Sequence, residues 1–206
     1  MIPALRRSLL LALPFQLAAI ALAVLLSMFL PHIKVGLTVL LAAAMWAPAL
    51  SELVLRTRMP WALQVHYLAF MFAGPFFGSA LGVYTAIPDW DTLVHFDSGI
   101  MLAWLGMLFV RNAEDRIGTA LPLWFAIVVI QATPMAFAAA WEISEYASDV
   151  IIGTASQRGG LEDTMTDIVA GTLGGMAGIG LLAMIGRPRS LTPRSLVRSR
   201  RVRQIG

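Results

Sequence analysis

The stretch Ser8–Ile33, SLLLALPFQLAAIALAVLLSMFLPHI, contains no Asp, Glu, Lys or Arg. About 20 apolar residues at 1.5 Å rise cross the roughly 30 Å hydrocarbon core of a bilayer, so this run is long enough for a transmembrane helix. Residues 59–88 and 117–141 are free of the same four residue types. The chain is 58% hydrophobic and 13% charged, with a mean hydropathy of +0.76. These values belong to an integral membrane protein and exclude an ordinary soluble domain. The pattern predicts an all-α, polytopic helical bundle with about six spans, near 9–30, 35–55, 60–82, 91–110, 119–146 and 163–186. Trp46, Pro48 and Glu52 interrupt the second.

Arg6-Arg7 before an apolar run has the look of a signal peptide. A cleaved apolar region is about 7–15 residues long, shorter than this one, so a retained first helix is expected. With six spans, one side of the membrane holds Arg6, Arg7, Arg56, Arg58, Arg111, Arg116 and the seven arginines of Arg187–Arg203. The other side holds only Lys34 and Arg158. That bias predicts both termini in the cytoplasm. Residues 1–186 then form one transmembrane domain, and 187–206 a basic, flexible cytoplasmic tail. The tail serves as a topology determinant or lies on anionic head groups. The isoelectric point near 9.9 therefore reflects the membrane border and not a nucleic-acid partner. No cysteine is present, which excludes disulfides and thiolate metal sites.

Against this apolar background the acids are unevenly placed. Nine of twelve fall within Asp89–Asp97 and Glu142–Asp167. Asp91 and His95 are four apart, so they share a helix face, and Ser98 joins them. Glu142, Glu145 and Asp149 lie within an arc of about 60° on a helical wheel, and Asp163 and Asp167 again share a face. All three groups sit at the outward ends of their helices, where they would offer five or six carboxylates and one imidazole to a shared cavity. Asp97 points away and is expected to make a separate polar contact. Asp89 is expected to cap the helix or lie in the loop, and Trp90 and Trp141 to join an interfacial aromatic belt. Asp149 is left open.

Ionisable residues inside a membrane are costly and mark functional sites by default. Two chemistries keep such a set together. A divalent cation can neutralise it through carboxylate and imidazole ligands, or some acids can remain protonated. A hydrogen-bonded lock with Arg158, Thr92, Ser144 and Thr166 is the purely structural alternative, and one arginine is too little to balance it. His66 is expected half a bilayer away, as a buried, hydrogen-bonded core residue. That depth argues against haem shared with His95. His32 is read as exposed.

Small residues signal close helix packing, within the chain or between protomers. They are Gly74 and Gly78, and the overlapping GxxxG pairs of Gly171, Gly174, Gly175 and Gly178. Gly174 lies about 20° from Asp163 around the helix, so the glycine face is nearly the acidic face.

The succession WDTLVHFDSG (Trp90–Gly99), WEISEY (Trp141–Tyr146) and EDTMTDIVAGTLGG (Glu162–Gly175) resembles the YjdF-type bacterial inner-membrane proteins, which have no established activity. More loosely it is similar to the VanZ-like family, associated with glycopeptide resistance. The resemblance covers a little under half the chain. It implies a multi-pass protein of the bacterial inner membrane whose polar positions are Asp91, His95, Glu142, Glu145, Asp163 and Asp167. Relatives often carry Asn where this chain has Gly171, a departure that puts part of any shared function in doubt.

From residue chemistry, the leading expectation is an outward-facing, metal-assisted site acting on a lipid-borne or envelope substrate. Asp91, His95, Glu142, Asp163 and Asp167 would bind one or two divalent cations of unspecified identity. Glu145, with His95, would carry the catalysis, Glu145 as general base. The alternatives are a cation- or proton-coupled carrier and a non-catalytic subunit or assembly factor. Membrane lipids are the expected partners, with a homo-oligomer or a membrane complex reached through the GxxxG faces.

Overall fold

The computed structural model describes residues 2–30, 35–55, 58–153, 156–157 and 160–185. His32, Lys34, Arg56, Arg158 and the tail 187–206 lie outside them. The described chain is all helical: α1 (Ile2–Ser27), α2 (Val35–Ala44), α3 (Ala47–Leu55), α4 (Trp61–Met71), a π-helical segment (Phe72–Ala80), α5 (Val83–Ala86), α6 (Trp90–Ile117), α7 (Leu123–Ile152) and α8 (Gly160–Ile185). Among the described residues, five helical stretches are long and apolar enough to cross a membrane: Leu5–Ser27, Val35–Val54, Trp90–Ile117, Leu123–Ile151 and Gly160–Met184. The remaining expected span, 60–82, is a composite in which α4 runs directly into the π-helical segment.

The irregularities trace to particular residues. The second span breaks into α2 and α3 at Met45–Trp46, because Pro48 has no N–H to return to the carbonyl of Ala44. Tyr67 donates its hydroxyl proton to that carbonyl instead, at 2.9 Å. Glu52, expected as a further interruption, lies within α3 and is buried. Its carboxylate accepts hydrogen bonds from Ser8 Oγ at 3.0 Å, Met59 N at 2.9 Å and Gln64 Nε2 at 3.2 Å. It thereby ties the starts of α1 and α4 to the end of α3. Pro75 sits inside the π-helical segment, and the indole N–H of Trp90 donates to the Ala73 carbonyl of that segment at 3.0 Å.

α6, α7 and α8 form the tightest part of the bundle, with α6 packed most extensively on α8. Glycine makes this contact possible. A Cβ at Gly99 would stand 2.8 Å from the Gly175 nitrogen and 2.9 Å from the Gly174 Cα, and one at Gly174 would strike the Phe96 carbonyl. Gly178 faces Ala103 and Ile100, and Gly175 faces Pro134 and Gln131 of α7. The GxxxG glycines of α8 therefore meet helices of their own chain. Gln131 Nε2 donates across this seam to the Thr172 carbonyl at 3.0 Å. In lipid, where apolar surfaces gain little by associating, such backbone approach and interhelical hydrogen bonding hold helices together.

Gly174→Val is expected to destabilise the bundle by at least about 1–3 kcal/mol, because the added methyls meet backbone that cannot rotate away. A Cβ added at Gly180 would meet nothing within 4 Å, so Gly180→Ala should stay within about 0.5 kcal/mol of wild type. Unfolding of detergent-solubilised protein followed by tryptophan fluorescence separates the two, and equal stability of both variants would refute the seam.

Candidate functional site

Three helix ends converge on His95. It lies in the second turn of α6, one turn beyond Asp91, while Glu142 comes from the second half of α7 and Asp167 from the first third of α8. The i, i+4 spacing stacks Asp91 on His95, and the glycine seam brings α8 close enough for Asp167 to reach the same imidazole. His95 Nε2 stands 3.6 Å from Asp91 Oδ1, 3.9 Å from Asp167 Oδ2 and 4.0 Å from Glu142 Oε1. His95, Glu142 and Asp167 are only 7%, 4% and 3% exposed, and Asp91 is half-buried. Glu142 Oε1 is buried without a hydrogen-bond partner. One ligand-type atom from each of Asp91, His95 and Asp167 lies within 4.8 Å of the others.

The other expected site residues stand around this knot. Asp163, one turn before Asp167, is half-buried and acts electrostatically on His95, Glu142 and Asp167. Glu145 Oε1 accepts the indole N–H of Trp141 at 3.0 Å. Asp149 is not a member: its two oxygens accept the backbone N–H groups of Ser156 at 2.7 Å and Gln157 at 3.1 Å, which fixes the α7–α8 connection. Gln157 in turn donates to Thr164 Oγ1 at 3.1 Å. Asp89 takes a left-handed backbone, φ 59°, at the start of α6 and makes no side-chain cap hydrogen bond. Asp97 does make a separate contact, and its partner is His66, whose Nε2 lies 3.0 Å from Asp97 Oδ2. His66 is thus hydrogen-bonded as expected but half-buried, not fully buried.

Sequence reasoning missed Tyr84. It lies in α5, and its hydroxyl hydrogen-bonds to Asp91. Burial, then the charges of Asp91, Glu145 and Asp167, push this phenol above the ordinary tyrosine range, so it stays a hydrogen-bond donor. Gly74 and Gly78 make room for it. A Cβ at Gly78 would overlap the Tyr84 ring, and one at Gly74 would lie 3.3 Å from its hydroxyl oxygen. The glycine pair of the third span thus seats an aromatic ring and not another helix backbone. The signal was present as an unexplained small-xxx-small pair a few residues before a lone Tyr.

An apolar cavity of about 330 Å³ lies beside the knot, bounded by α3, α4, α6 and α7. His95, Ser98 and Tyr84 reach its wall, whereas Asp91, Glu142 and Asp167 do not. The carboxylates therefore stand beside this cavity and not in its wall. They gather around His95, whose ring stands between them and the cavity.

Helical bundle, apolar spans and buried acidic knot together define a multi-pass membrane protein with a carboxylate–imidazole group in its interior. Residues 12–188 match the family described as "Predicted membrane protein (DUF2238)". The chain belongs to that family, whose function is unknown. An uncharacterized protein of Thermotoga maritima is 23% identical over 132 residues, which is 63% of this chain and 66% of that protein. The match thus spans a little less than two thirds of the relative's length. No solved structure matches.

Asp149→Ala should lower unfolding stability by about 1–3 kcal/mol, since two backbone donors lose a charged acceptor. Metal content, measured on the same preparation by elemental analysis, should match wild type. A parallel loss of metal would return Asp149 to the site.

Proposed function

We propose that this protein is a metal-assisted, hydrolase-type enzyme of the bacterial inner membrane, of YjdF type, acting from its outward face on a lipid-borne or envelope substrate. The composite α4–π segment is taken as a sixth crossing, which puts both termini in the cytoplasm and the acidic helix ends outside. One or two divalent cations are held by Asp91, His95, Glu142, Asp163 and Asp167.

The spacing around His95 carries this reading. Separations of 3.6–4.0 Å from Nε2 to three carboxylate oxygens are too long for hydrogen bonds. Asp91, His95 and Asp167 each bring one ligand-type atom within 4.8 Å of the others, a cluster that one shared ion could draw together. The buried, unpartnered Glu142 Oε1 is a second, independent pointer, because a buried polar atom without a partner is costly. A bound cation would supply Lewis acidity and a more acidic water. Glu145, oriented by the Trp141 indole, is the general base for that water, and Tyr84 holds Asp91 by hydrogen bonding.

A carrier is less well supported. Buried polar residues recur at the far end, around Glu52 and Gln64, but the cavity between the two ends is mostly lined by apolar side chains and has no carboxylate in its wall for a moving cation. A role as assembly factor through the GxxxG faces is weakened because those glycines already meet α6 and α7.

Elemental analysis of purified protein should find stoichiometric divalent metal in wild type and none in His95→Ala or Glu142→Gln. A chelator should lower unfolding stability by about 2.7 kcal/mol where the free metal had been held a hundredfold above its dissociation constant. Metal absent from the wild type after growth in supplemented medium would overturn the assignment.

A further inference from the structure

The cavity beside His95 has a shape and composition that the acidic knot does not explain. α4 flanks α6 on one side and α7 flanks it on another, without extensive packing between the two, and α3 residues complete the wall. The gap between them is the cavity. At one end lie His95, Ser98 and Tyr84, and at the other Ser51, Met59 and Pro48 of the α3–α4 region. Nearly everything between is hydrocarbon, including Leu63, Met101 and Leu102. Its volume, about 330 Å³, falls at the lower end of the roughly 300–1,000 Å³ range of ligand pockets. Phe137 and Trp141 of α7 also line it and are 49% and 38% exposed, so the α7 wall is in part surface.

Two features select the occupant. The cavity lies within helices that cross the hydrocarbon, so the solvent at its α7 wall is acyl chain and not water. Its free polarity is also one-sided: the hydroxyls of Ser51, Tyr67 and Ser98 are already donated to the carbonyls of Ala47, Ala44 and His95, which leaves the His95 imidazole and the Tyr84 phenol beside the carboxylates. A molecule complementary to that gradient has a long apolar tail and one polar head. We infer that the cavity seats one acyl chain of a membrane phospholipid, with the polar head at the His95 end. This deepens the proposed activity by naming its substrate class, and it rests on that reading only for what happens to the head. The seating of the chain stands on the cavity alone.

The test uses the full-length protein in phospholipid nanodiscs carrying a phosphatidylglycerol probe with a diazirine near the methyl end of one acyl chain. Illumination followed by peptide mapping should place label on cavity residues such as Leu63, Met101 and Leu102, in addition to outward residues such as Leu93 and Ile143. Leu105→Trp, which fills the cavity, should cut the cavity label about tenfold and leave the outward label unchanged. Ser51→Phe, at the far end, should do the same, so the result does not depend on one variant folding. His95→Ala should keep the cavity label while losing metal. Cavity label without metal in the wild type would leave the chain seat standing and remove the metal-assisted reading. Label confined to the outward residues of wild-type protein would overturn the inference, as would cavity label obtained with a polyprenyl diazirine but not with the acyl probe. A cavity filled by a helix of a second copy would exclude the acyl probe and give the same overturning pattern.

Discussion

Charge in a low-dielectric interior must be neutralised where it sits. Asp91, Glu142 and Asp167 gather within 4.0 Å of one imidazole nitrogen, and two of these acids are almost fully buried. Desolvating each ionised carboxylate costs several kcal/mol unless a partner offsets it. A histidine offers at most one positive charge. Among the described arginines, Arg111 and Arg116 close α6 about 30–40 Å from its start, and Arg7 reaches Met59 at that same far end. Among the described residues no second positive charge meets the knot, and the proposed metal is a solution that also accounts for the gaps between the donor atoms.

The rest of the bundle serves to hold that knot closed. Helices packed through ordinary side chains keep their axes about 8–10 Å apart. Glycines at 99, 171, 174 and 178 let α6 and α8 approach until backbone meets backbone, which carries Asp167 to the Asp91–His95 face. α7 is then keyed against α8 by Pro134 on Gly175 and by Gln131 on the Thr172 carbonyl, and this registers Glu142. The Gly74–Gly78 notch admits the Tyr84 ring from the opposite flank. Small residues thus act here within the chain, where a Cβ would meet α6 backbone, α7 side chains or the Tyr84 ring.

How much of this was legible depends on the range of the interaction. Bilayer thickness acts on every residue of a span, so the hydropathy of Ser8–Ile33 or of Trp90–Val110 suffices to place helices. Helical phase is equally local, and it pairs Asp91 with His95 without any tertiary knowledge. Contacts between segments were legible only where two independent patterns agreed, as with the acidic and glycine faces of α8. They were lost where backbone departs from the ideal helix. The π-helical turn after α4 changes the rise and phase of the third span, so Tyr84 arrives at the site unannounced. Depth reckoned along straight helices also separated His66 from everything acidic, although Asp97, two turns into α6, reaches it. Asp149 matched the acidic helical face of α7, yet the last turn of a helix answers to its loop, and its oxygens serve the backbone of Ser156 and Gln157.

His95 is where the two halves of the molecule meet. On one side its Nε2 faces three carboxylates; on the other its ring forms the end wall of an apolar cavity. A purely structural knot has no use for such a wall, because filling the cavity with larger side chains would add dispersion contacts at no cost to the acids. A channel for ions has no use for it either, since hydrocarbon walls present no ligands. A ligand that is apolar over most of its length and polar at one end needs both surfaces together, with the imidazole between them. In the proposed reading, burial makes the knot a strong binder of cations, and the cavity decides which molecule is brought to it.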